Sequence, residues 1–183
     1  MPRRHPVHLK IGVVMLFLDF PHVAGYVRGP LTLFPYPELG YSVTYHSDTG
    51  VDATVYVYHL NRSLIPDGAD SPVVREELER ALLDVMRLNR VLSPWFPAKV
   101  LLGCPPLAWE ALYVSFLMDR LCLGWVSVSE IYLTGYRNHF FKVRCSWPQE
   151  CHRSAEPAAT ELLIRLGEML CRASERRFPE SRR

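Results

Sequence analysis

The chain has little net charge and no run of apolar residues long enough to cross a bilayer. Twenty-one Lys and Arg stand against nineteen Asp and Glu, a formal charge of +2. A basic stripe for nucleic acid is therefore not expected. A membrane span needs about 20 consecutive apolar residues, and the stretch from Val100 to Leu123 is broken by Pro105, Pro106, Glu110, Asp119 and Arg120. No C-x-x-C pair occurs among the five cysteines, Cys104, Cys122, Cys145, Cys151 and Cys171. An odd, scattered set of thiols does not read as a secreted disulfide framework or a zinc knuckle. Ten glycines show no G-X-Y period, which excludes collagen. G-x-S-x-G, G-x-G-x-x-G, the P-loop and H-E-x-x-H are all missing.

What remains is the composition of a folded domain. Of 183 residues, 49% are hydrophobic, 11% aromatic and 22% charged, which is too apolar for disorder. The length fits one domain. Arg3, Arg4 and Lys10 precede the apolar run Ile11 to Leu18, with Val23-Ala24-Gly25 as a small-residue site beyond. Residues 1–20 thus read as a leader or first strand with signal-like character, 21–178 as one domain and 179–183 as a basic tail. Cytoplasmic and periplasmic locations both stay open.

Alternation predicts most of the strands. Tyr41, Val43 and Tyr45 alternate with Ser42, Thr44 and His46. After the polar turn Ser47 to Gly50 the period of two resumes from Asp52 to Leu60. This predicts a hairpin whose second strand is central. Further strands are expected over Lys99 to Leu102, Leu107 to Met118, Trp125 to Thr134 and His139 to Trp147, the last three as a meander. Ser71-Pro72 reads as a helix cap and first helical residue. Val74, Leu78, Ala81, Leu82, Val85, Leu88 and Leu92 then form an apolar stripe ending at Ser93-Pro94. A closing helix spans about Ala155 to Arg177. The sum is an α+β fold, an antiparallel sheet flanked by helices.

Several stretches together resemble a family. G-Y-V-R-G (Gly25 to Gly29), G-Y-S-V-T-Y (Gly40 to Tyr45), V-Y-V-Y (Val55 to Tyr58), I-P-D-G-A-D-S-P (Ile65 to Pro72) and Y-L-T-G-Y-R-N-H-F-F-K-V-R (Tyr132 to Arg144) occur in that order. This set resembles small, uncharacterised bacterial proteins with a PsbP-like fold, an α/β/α sandwich. The resemblance covers roughly Pro21 to the end of the final helix. No catalytic residues come with the resemblance, and the missing ligand spacings leave no metal and no cofactor to expect. Members often carry a secretion signal, and related folds serve as assembly factors.

The turn Tyr136, Arg137, Asn138 and His139 is the leading recognition candidate. It places an aromatic, a cation and two hydrogen-bonding side chains on one hairpin tip, expected to be exposed. Other residues invite chemistry. Asp67 and Asp70 flank Gly68 at a helix mouth, where a hard cation competes with ordinary turn and dipole roles. Cys151 lies between Glu150 and His152 in an expected loop. A Cys145–Cys151 bridge and two idle thiols are both open. His46 and His59 lie on neighbouring strands and would meet across the hairpin, or sit as rim residues. Tyr41, Tyr45, Tyr56, Tyr58, Trp109, Tyr113 and Trp125 line either a cleft or the core. The leading functional reading is a non-catalytic binding or accessory module engaging a protein partner. The alternative is a small hydrolase or thiol-dependent enzyme using Cys151 or a carboxylate.

Overall fold

The computed structural model describes residues 15–120 and 125–175. The strands are β1 (Tyr26–Arg28), β2 (Thr32–Leu33), β3 (Tyr41–Ser47), β4 (Asp52–Tyr58), β5 (Arg90–Val91), β6 (Ala98–Cys104), β7 (Leu107–Arg120), β8 (Trp125–Tyr136) and β9 (His139–Pro148). The helices among the described residues are α1 (Pro72–Leu88) and α2 (His152–Glu175). The strands form one open sheet in the order β1-β3-β4-β9-β8-β7-β5, with β2 also on β3 and β6 also on β7. Every ladder in it is antiparallel. The fold is α+β.

Alternation decides which helix each residue meets. Val43, Ala53, Val55, Val57, Phe141, Val143, Cys145 and Trp147 point to one face and share a core with Ala155, Ala159, Leu162, Leu166 and Leu170 of α2. Leu112, Val114, Phe116, Met118, Ile131, Leu133 and Phe140 point to the other face. There they pack against Val74, Leu78, Leu82 and Val85 of α1. One face of β4 is buried along its length, and Tyr58 carries the second face under α1.

Ser71 caps α1, its Oγ accepting the Val74 N–H at 3.3 Å, with Pro72 in the first turn. The helix stops at Leu88, earlier than the apolar stripe to Leu92 suggests. Asn89 is extended, and both its backbone N–H and its side-chain Nδ2 donate to the Val85 carbonyl at 3.0 Å. The chain then enters β5, where Arg90 and Val91 pair with Asp119 and Met118. Pairing with β7 thus replaces the last expected turn of helix. The α2 helix begins earlier than expected, at His152, so Glu150 and Cys151 form a short 3-10 turn rather than an extended loop.

Residues 15–24 run without regular structure across the α2 face. Leu18, Phe20 and Val23 are buried in that core, so packing begins before Pro21. The strap is pinned by side chains: Tyr41 Oη accepts the Leu18 N–H at 3.2 Å, and Tyr45 Oη donates to the Pro21 carbonyl at 2.9 Å. Arg28 donates to the Phe20 carbonyl. Most of the expected leader, residues 1–14, and the tail 179–183 lie outside the described residues. No helix among the described residues is long and apolar enough to cross a membrane.

Candidate functional site

The turn between β8 and β9 is a junction and not an exposed tip, which corrects the expectation drawn from its composition. Arg137 and Asn138 both have positive φ, 48° and 61°, as a two-residue hairpin turn requires. Tyr136 and His139 are buried, at 0% and 2% exposure. Tyr136 Oη donates to the Leu170 carbonyl at 3.0 Å, and its ring meets Trp109 edge-on at 5.1 Å. Asn138 Oδ1 accepts the Ile65 N–H at 2.7 Å, and Asp67 Oδ1 accepts the Arg137 N–H at 2.6 Å. Gly68 and Gly135 exchange backbone hydrogen bonds at 2.9 and 3.0 Å. A Cβ on Gly135 would sit 1.8 Å from the Pro66 carbonyl oxygen, so only glycine allows this approach. The I-P-D-G and T-G-Y-R-N-H stretches are thus two halves of one interlock.

His139 ties the strap to this junction. Its Nδ1–H donates to the Arg137 carbonyl at 2.9 Å, so Nε2 is free to accept the Leu16 N–H at 3.4 Å. His59 meets His139 edge-on at 5.6 Å and accepts the Asn61 N–H on Nδ1 at 3.1 Å. Burial lowers the pKa of both imidazoles, with Glu38 opposing this at His59 and the Arg137 carbonyl at His139. His46 and His59 do not meet. His46 pairs with Asp52 at the far end of the hairpin, Nδ1 to Oδ1 at 2.7 Å, because the register sets Tyr41, not His46, opposite Val57.

Arg137 is the turn residue that reaches a cavity. Its guanidinium donates to the Ala173 carbonyl near the end of α2 and lines a cleft of about 840 Å³. The strap supplies one wall with Phe17, Asp19, Phe20 and His22, and α2 supplies the other with Glu161, Arg165, Glu168, Met169 and Arg172. Phe17 is 62% exposed and stacks on Tyr41 at 5.6 Å, leaving an aromatic edge at the mouth. Glu161 and Glu168 both pair with Arg165, at 2.8 and 3.4 Å, and Glu168 also with Arg172 at 3.1 Å. The cleft thus joins the apolar strap residues to a row of paired charges on α2.

The other sequence candidates are engaged in structure. Asp70 binds Lys99 at 2.9 Å, and Asp67 caps the turn, so neither carboxylate points to a shared cation position. No group of three or more His, Cys, Asp or Glu among the described residues is placed to hold a metal. Cys145, Cys151 and Cys171 are free thiols, which removes the Cys145–Cys151 bridge. Burial pushes the Cys145 thiol far up, so it is inert. His152 does not serve Cys151: its Nδ1 accepts the Trp147 Nε1–H at 3.3 Å, and its Nε2 faces Glu156 at 3.5 Å. Among the aromatics, Tyr41, Tyr45 and Tyr58 are core residues, whereas Trp125 is 43% exposed.

Glu130 drew no reading from the sequence, and Lys142, which the alternation sets on the outer face with Arg144, is half-buried instead. Glu130 lies on the α2 face, and its two carboxylate oxygens accept the hydroxyls of Tyr113 and Tyr132 at 2.8 Å each. Burial raises its pKa against those two hydrogen bonds. Depressions of about 480 and 180 Å³ flank this group, one lined by Ser115 and His152, the other by Tyr113 and Tyr132. Lys142 lies on the α1 face, its ammonium 4.6 Å from the Tyr56 ring centre and 5.1 Å from that of Tyr58. The signal at Glu130 was a lone charge inside an otherwise apolar alternation, V-S-E-I-Y. A search of protein-family models and of curated protein sequences gives no match to the chain.

Proposed function

We propose that the protein is a non-catalytic binding module of PsbP-like sandwich architecture, which seats an extended segment of a partner protein in the cleft between residues 17–24 and α2. The observation that carries this reading is the cleft itself. Its volume, about 840 Å³, falls in the range of binding pockets, and it joins an exposed aromatic to a helix face rich in both charges. The α2 wall is rigid because its buried side packs on the sheet core. One helix over each face of the antiparallel sheet supports the PsbP-like assignment, and the assembly roles of related folds support a partner by analogy. Removing the charges tests it. Arg165→Ala with Arg172→Ala is expected to reduce partner capture by an immobilised chain, while Leu83→Ser on exposed α1 leaves it unchanged. Equal loss in both, or in neither, would move the surface elsewhere.

A second reading has one observation in its favour. Glu130, with its raised pKa and hydrogen bonds from two tyrosines that line a depression, has the environment of a carboxylate acid–base catalyst. Hydrolysis that persists in the wild type and disappears in Glu130→Gln would favour it over the module.

A further inference from the structure

We propose that the depression framed by β6, α2 and the paired tyrosines of β7 and β8 is a binding site for a small alkylammonium ion. Its volume is about 180 Å³. Leu102 of β6 and Leu163 of α2 are among its apolar walls, and its hydroxyls come from Tyr113, Tyr132 and Thr160. It shares no lining residue with the cleft between residues 17–24 and α2. Neither that cleft nor catalysis at Glu130 is needed for it.

Hydrogen bonds within the wall decide what the depression offers. Tyr113 and Tyr132 are ladder partners, with ring centres 4.9 Å apart. Each donates its hydroxyl proton to a different oxygen of Glu130, at 2.8 Å. Burial and the Glu130 carboxylate raise the Tyr113 pKa to about 12 and that of Tyr132 further, so both hydroxyls keep their protons at neutral pH. Thr160 Oγ1 donates to the Glu156 carbonyl at 2.9 Å. A hydroxyl carries one proton and two lone pairs. With every such proton committed to the wall, these side chains present acceptors to the depression and no donor. A carboxylate or phosphate would meet only lone pairs there, whereas an N–H donor is received.

Charge then selects a cation among donors. Glu130 is half-buried on the same face, opposite Ser115 and next in the alternation to Tyr132. Among the described residues it makes no ion pair. The charges that bear most on it, Glu156 and His152, face each other at 3.5 Å. Two neutral donors stabilise the carboxylate without cancelling its charge, and a half-buried charge lacking a counter-ion is costly. That charge polarises the two tyrosine hydroxyls toward the depression, and aromatic ring faces attract an ammonium. The apolar walls receive a short alkyl chain.

The test compares an amine with its neutral isostere. The full chain is titrated with propylammonium chloride or 1-propanol at neutral pH and constant ionic strength, and backbone amide shifts are followed by NMR. Propylammonium is expected to shift the amides of Gly103, Tyr132 and Leu163 saturably. It is expected to bind at least about ten-fold more tightly than 1-propanol, the difference between a charge-assisted and a neutral hydrogen bond. Glu130→Gln should weaken the amine at least about ten-fold, whereas Glu79→Gln, which removes an equal charge from exposed α1, should leave it unchanged. Tyr113→Phe keeps the ring, removes an acceptor and should weaken the amine more than the alcohol; this variant decides if Glu130→Gln does not fold. Equal binding of amine and alcohol by the wild type would overturn the proposal. So would shifts centred outside the depression, or full amine affinity in a folded Glu130→Gln or Tyr113→Phe chain. Turnover has no part in the readout, so a negative result leaves both the cleft and acid–base chemistry at Glu130 to their own tests.

Discussion

Replacing Gly167 by alanine sets two local rules against each other. Gly167 lies in α2 where the helix crosses β6, and a Cβ there would fall 2.1 Å from the Leu102 carbonyl oxygen, 2.2 Å from its carbon and 2.5 Å from the Gly103 nitrogen. Helix propensity alone favours alanine by about 1 kcal/mol. The contact opposes it. All three neighbours are backbone atoms, so relief requires the helix to lift by about 1 Å, away from the buried contacts of Leu163, Leu166 and Leu170. Overpacking of this kind costs about 1–3 kcal/mol when side chains can yield and more when they cannot. The expected net loss is about 2 kcal/mol, or roughly 4–8 °C in melting temperature for a chain of this size. Urea unfolding followed by tryptophan fluorescence measures it, with Thr160→Ala on the exposed side of α2 as a control expected to be neutral or slightly stabilising. A Gly167→Ala protein as stable as the wild type would refute the docking of α2 on β6.

Other outcomes follow from single contacts. Leu82, 2% exposed under α1, should cost about 2–5 kcal/mol when changed to alanine, read from the urea midpoint. Tyr136→Ala should cost about 3–5 kcal/mol, since it empties a buried ring site; a change under about 0.5 kcal/mol would restore the exposed-tip reading. Stability should also fall in mild acid. His59 and His139 have lowered pKa values in the fold, so their contribution is complete above about pH 6.5 and is lost as pH falls through the lowered values. His139→Gln retains an acceptor for the Leu16 N–H. Its melting temperature should therefore drop less than that of the wild type between pH 7.5 and 5, and parallel curves would contradict the role given to His139.

Much of the scaffold was legible because its signals are local. Alternation in β3 and β4, the Ser71-Pro72 start of α1 and the meander from β7 to β9 depend on residues close in sequence. The two- and three-residue strands β1 and β5 are too short to show a period, and only their partners β3 and β7 define them. The turn at Arg137 misled for a related reason. Gly-Tyr-Arg-Asn is ordinary turn chemistry, and its burial is imposed by Ile65, Asp67, Leu170 and Leu16, all remote in the chain. The cleft has no sequence signature, because its two walls come from opposite ends of the protein.

The most direct measurement of the binding reading is site-specific photocrosslinking. A benzophenone side chain placed at position 24, on the strap wall of the cleft, is compared with one at position 83, on exposed α1. The account predicts a discrete crosslinked product from position 24, whose yield falls when Phe17→Ala removes the aromatic at the mouth, and none from position 83. Crosslinking from position 83 alone, or from position 24 with no dependence on Phe17, would contradict it.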